Sequence, residues 1–107
     1  MGDNTGRNGG GPRPPRSNCD SLTDRTPLNS VDFALLAHVA KGDVLEIAVK
    51  RTNSAKIVVA LHKGKVLGSI TSVIVSKLLE CIDNGHDYVA DVLSKTASSC
   101  TVLIHHK

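Results

Sequence analysis

The chain has 107 residues, 40% of them apolar and 21% charged, a formal net charge of +3, and only Phe33 and Tyr88 as aromatic residues. That length holds one domain around one core, and the shortage of aromatic side chains requires an aliphatic core. No stretch approaches the roughly 18 to 20 uninterrupted apolar residues of a membrane-spanning helix; the longest candidate, residues 66–82, is broken by Gly68, Ser69, Thr71, Ser72, Ser76, Lys77 and Glu80.

Residues 1–18 come first. The run Gly9-Gly10-Gly11-Pro12-Arg13-Pro14-Pro15-Arg16 has nothing to bury, and its glycines lose much backbone entropy on ordering, so this segment reads as a disordered Gly/Pro/Arg tail. Its prolines superficially resemble a polyproline SH3 ligand, but one overlapping run is better read as linker. Arg7, Arg13 and Arg16 against Asp3 give the tail +2 of the total +3. Its first residues lack both the apolar segment of a secretory signal and the Ser or Thr at position six of a myristoylation site, where Gly6 stands. Three widely spaced cysteines, Cys19, Cys81 and Cys100, fit reduced thiols better than a disulfide framework. The expectation is a cytoplasmic chain with Cys81 and Cys100 as small buried hydrophobes.

Residues 19–107 are expected to form one α+β domain. Residues 19–27 have the makings of a short edge strand. Asn29 or Ser30 then offers a helix N-cap, Val31, Leu35, Leu36 and Val39 form a stripe at helical spacing flanked by Phe33 and Ala37, and Gly42 supplies a left-handed stop. Residues 44–51 alternate as a half-buried strand, with Leu45, Ile47 and Val49 inward and Glu46, Ala48 and Lys50 outward. Residues 57–62 and 65–70 read as a hairpin turning at Lys63-Gly64. Thr71 or Ser72 caps a second helix whose Ile74, Val75, Leu78, Cys81 and Ile82 share one face, and Asn84-Gly85 ends it. Two more strands follow, residues 88–95 and 100–106, around a polar turn at 96–99. The predicted fold is thus α+β, a small curled antiparallel sheet or barrel of five to six strands with two helices.

Charge is uneven along this domain. Between Glu46 and Glu80 there is no acidic residue, while Lys50, Arg51, Lys56, Lys63, Lys65 and Lys77 make the stretch +6. Lysines on neighbouring strands and turns serve either as a solvated edge that discourages aggregation or as contacts to phosphate.

Several segments resemble the HIRAN domain in order and character. These are Ile57-Val58-Val59, then Gly64-Lys65-Val66-Leu67-Gly68-Ser69-Ile70, then Leu78-Leu79-Glu80-Cys81-Ile82-Asp83-Asn84-Gly85, then Tyr88-Val89-Ala90-Asp91-Val92, a likeness spanning about residues 43–104. The resemblance implies a small β-barrel with helices that binds DNA, especially single-stranded 3′ ends, as a module of helicases and translocases. The chain departs from that pattern at Thr52-Asn53-Ser54-Ala55-Lys56, which replaces the family's Asn-Pro-containing segment, and only Tyr88 is a counterpart for the aromatic residues that stack a terminal base. It is also similar to small bacterial proteins that pair a Gly-rich leader with Leu-Asn-Ser and Gly-Asp-Val-Leu elements, here Leu28-Asn29-Ser30 and Gly42-Asp43-Val44-Leu45.

No motif calls for a catalytic centre. Cys81 lies on a buried helix face, Cys100 is the more reactive candidate thiol but lacks a base, and His86-Asp87 reads as a turn pair. The Gly9-Gly10-Gly11 run lacks a following Gly-Lys-Ser/Thr, and no G-x-S-x-G occurs. Of five histidines, His105 and His106 with Cys100 are the nearest cluster, but adjacent strand residues face opposite ways, so no metal or cofactor is expected. The expectation is a non-enzymatic module that contacts single-stranded or end-bearing DNA through Lys50, Arg51, Lys56, Lys63, Lys65 and Tyr88. The alternative is a protein-interaction subunit of a larger bacterial complex, using an exposed strand edge or the tail.

Overall fold

Alternating burial organises the sheet. Tyr88, Ala90 and Val92 point into the core from one strand and Cys100, Val102 and Ile104 from its neighbour, with half-exposed residues between them. A computed structural model describes residues 19–107; the tail, with its arginines, lies outside the described residues. The elements are β1 (Asp24–Pro27), α1 (Phe33–Leu36), β2 (Val44–Arg51), β3 (Lys56–His62), β4 (Lys65–Ile70), α2 (Val75–Asp83), β5 (Tyr88–Lys95) and β6 (Cys100–His106), after a helical turn at residues 19–21. Every strand pairing is antiparallel, in the order β1-β6-β5-β2-β3-β4. The result is a curled half-barrel, the α+β class expected.

The curl has identifiable causes. Register shifts interrupt β3–β4 at Ala60/Leu61 and β5–β6 at Val92/Ser94, and such bulges bend a sheet. The chain leaving β1 then spans the open side. Leu28 N donates to Cys100 O on β6 at 2.9 Å, and Asn29 exchanges two main-chain bonds of 2.8 and 2.9 Å with Ser69 on β4, the opposite edge. This crossing favours a glycine at position 68, where a Cβ would lie a tight 3.0 Å from Asn29 O and 3.1 Å from Leu28 Cβ. The β3–β4 turn is as expected: Lys63 (φ 51°) and Gly64 (φ 83°) are both left-handed, the requirement of a two-residue type I′ hairpin.

Both helices are shorter than their apolar stripes. Asp32 replaces Asn29 or Ser30 as the first cap, accepting from Leu35 N at 3.0 Å, and α1 is a single turn. It stops because the following backbone is recruited elsewhere. Lys95 on β5 donates to Leu36 O and Val39 O at 2.7 and 2.5 Å, and Gly42 N bonds to Val92 O rather than closing a helix end. Leu36 and Val39 are still buried, whereas Phe33 is exposed. In α2, Leu78 and Cys81 reach the core as the stripe predicts, and Gly85 (φ 96°) turns the chain out. Ser72 lies two residues ahead of the N-cap position Ile74, its Oγ accepting from Ile74 N at 3.3 Å.

The expectation of reduced thiols is overturned for two cysteines. Cys19 and Cys81 form a disulfide that ties the turn at 19–21 to α2 across 62 residues of sequence. Spacing could not reveal the pair, because it depends on the whole sheet bringing the two segments together. Cys100 is free and buried, and burial pushes its thiol pKa up, only partly opposed by Lys95, which removes it as a reactive thiol. No helix among the described residues is long and apolar enough to cross a membrane.

Candidate functional site

The acid-free stretch does not fold into one basic face. Lys50 and Arg51 end β2 and Lys56 begins β3, with Arg51 directly opposite Lys56. Lys63 and Lys65 lie at the other end of β3, separated by its length, about 20 Å at roughly 3.3 Å per residue. Two of the six cations are also occupied: Lys56 Nζ pairs with Asp83 at 3.1 Å and Lys77 Nζ with Glu80 at 3.2 Å. Lys50, Arg51, Lys63 and Lys65 make no ion pair among the described residues.

The Lys63–Lys65 end has the more developed surface. The tight turn presents both lysines to a shallow groove of about 250 Å³ completed by Leu35, His38 and His62. A neighbouring hollow of about 410 Å³ continues past His38, Ala40, Asp43 and Val44. The carboxylates nearby are engaged in local structure: Asp32 caps α1, and Asp43 accepts from Ala40 N at 2.9 Å. His62 is only 8% exposed, with Nε2 3.7 Å from Asp43, and its buried Nδ1 has no hydrogen-bond partner among the described residues. Such an orphan is uncommon in a folded protein. Sequence reading took Lys63 and Lys65 but missed His38 and His62, since only folding of the loop after α1 against the hairpin brings them together.

Tyr88 cannot stack a base. It is 2% exposed, its hydroxyl donates to Cys19 O at 2.7 Å, and its ring meets the edge of His106 with centroids 5.3 Å apart. Burial, and secondarily the charge of Asp20, raise its pKa. The residue proposed for stacking is therefore a core residue that anchors the turn at 19–21.

A second polar cluster lies beside it. His105 and His106 do diverge, as strand geometry requires: His105 Nε2 reaches Asp91 at 3.0 Å, while His106 Nε2 meets His86 Nδ1 at 3.0 Å. Asp20 Oδ1 lies 3.7 Å from that His86 nitrogen and 3.5 Å from that of His106. The three residues have no common local motif; the Tyr88–His106 register and the disulfide assemble them. No protein-family model, no curated protein and no solved structure matches this chain.

Proposed function

We propose that the domain is a non-enzymatic binding module that holds single-stranded or end-bearing DNA by its backbone, with the Lys63-Gly64-Lys65 turn as the principal contact. The observation that carries this reading is a pair of lysines on a tight turn that make no ion pair among the described residues, beside a groove shared with His38 and His62. Each phosphate neutralised releases counterions, so binding of this kind weakens steeply with salt. The sequence resemblance to the HIRAN domain points to the same class of ligand. Burial of Tyr88 removes the aromatic platform that the HIRAN resemblance offered, and with it the roughly 1 to 3 kcal/mol that stacking adds per base. Binding is accordingly weak and indifferent to sequence.

Fluorescence anisotropy with labelled single-stranded and blunt DNA tests this. With two to four phosphates contacted, the slope of log K against log salt is about −1.4 to −2.8 for a single strand. Lys63→Ser with Lys65→Ser should remove most of the affinity, and Lys50→Ser with Arg51→Ser less. Absence of binding at low salt, or indifference to the first pair, refutes the proposal.

One observation favours the protein-partner reading instead. β2 pairs with β5 only through Val44, Leu45 and Glu46, so among the described residues, 47–51 have a strand neighbour on one side alone, in β3. An extended peptide can add to such an edge. On location, the Cys19–Cys81 disulfide favours an oxidising compartment over the cytoplasm; a cytoplasmic chain would hold that pair largely reduced.

A further inference from the structure

We propose that Asp20, His86 and His106 form a binding site for a borderline transition-metal dication, Zn²⁺ foremost, with a coordination position open to solvent. The argument begins with three distances. His86 Nδ1, His106 Nε2 and Asp20 Oδ1 are 3.0, 3.5 and 3.7 Å apart pairwise. A tetrahedral zinc ion with bonds of about 2.0 to 2.1 Å holds its donor atoms about 3.3 to 3.4 Å from one another. The observed triangle straddles that value, and a point about 2 Å from all three atoms exists, where an ion makes three bonds of ordinary length.

The ligands are held from three separate elements. Asp20 follows Cys19, which is fixed by the disulfide and by the Tyr88 hydroxyl on its carbonyl. His86 follows the left-handed Gly85 and its main-chain N bonds to Cys81 O at 3.1 Å. His106 ends β6 opposite Tyr88, and the next residue, Lys107, bonds through N to Asp87 O at 2.9 Å. A site assembled this way needs little reordering to close on an ion.

The outer hydrogen bond sets a ring's tautomer. His106 Nδ1 lies 2.9 Å from the main-chain oxygen of Lys107, which can only accept, so Nδ1 carries the proton and the Nε2 lone pair faces the cluster. In the metal-free protein His86 Nδ1–H then donates to His106 Nε2; on binding, solvent carries that proton to His86 Nε2, so the neutral ring switches tautomer and both facing nitrogens become ligands. Two imidazoles and one carboxylate select zinc, copper, nickel or cobalt over calcium or magnesium, which prefer all-oxygen sites. The Asp20 side chain is 69% exposed, which leaves the remaining position to water.

Isothermal titration of the full chain with ZnCl₂, after treatment with a chelator, tests the site. The expected result is one ion per chain. Asp20→Asn, an exposed change that leaves the core intact, and His86→Gln or His106→Gln each weaken binding at least about 10-fold, in line with losses seen even for outer-shell changes. His105→Gln, on the opposite side of β6, leaves binding unchanged. Histidine ring resonances followed by NMR should shift for His86 and His106 and stay fixed for His38 and His62, a readout that needs no variant to fold. No binding tighter than about 1 mM, or binding indifferent to Asp20, His86 and His106, overturns the proposal and leaves the cluster joined by a shared proton.

Discussion

Breaking the Cys19–Cys81 bond should cost this protein a large part of its stability. The bond closes a 62-residue loop, and in the chain-entropy model such a loop restricts the unfolded ensemble by about 4 kcal/mol at 25 °C. Domains of this size have roughly 5 to 15 kcal/mol in all. Reduction should therefore leave a folded but marginal protein. Urea unfolding monitored by circular dichroism, with and without reductant, measures the loss. At a slope near 1 kcal/mol per molar, the midpoint should fall by about 4 M. The slope should rise, because a chain freed of the cross-link exposes more surface on unfolding. A Cys19→Ala, Cys81→Ala protein should behave like the reduced wild type apart from lost side-chain packing. A midpoint shift corresponding to under about 1 kcal/mol would refute the entropic argument.

Other expectations are narrower. Gly68→Ala places a methyl 3.0 Å from Asn29 O and should cost about 1 to 3 kcal/mol; amide exchange at Asn29 and Ser69 should accelerate first, and an unchanged thermal midpoint would contradict the tight crossing. Alkaline pH should weaken the fold in two steps. Cys100 and Tyr88 have pKa values raised by burial above ordinary values of 9.0 and 10.0, so the unfolded chain loses their protons first. Their contribution is complete below those ordinary values and is lost as pH climbs through the raised folded ones. Urea midpoints measured across that range should drop, and Cys100→Ala should delay the onset; stability constant through the titration of both groups would contradict their burial.

Local chemistry was legible, and long-range pairing was not. β2, β5 and β6 occupy the residues their alternation marks, and Lys63-Gly64 turns where a left-handed pair is easiest to form. The length of α1 was misjudged because its stop lies in Lys95, a residue nearly sixty positions away whose amine takes two carbonyls. The basic stretch looked continuous along the chain, yet β3 separates its two ends by the full length of a strand. Tyr88 looked available because composition made it scarce; the register opposite His106 and the turn at 19–21 bury it. The disulfide and the Asp20–His86–His106 cluster arise from the same convergence of three distant segments.

The proposed contact is tested most directly by titrating ¹⁵N-labelled protein with a short single-stranded oligonucleotide at low salt. Amide shifts concentrated at His38, His62, Lys63, Gly64 and Lys65, and reversed by added salt, are the predicted result. Shifts confined to residues 47–51, or none at all, contradict it.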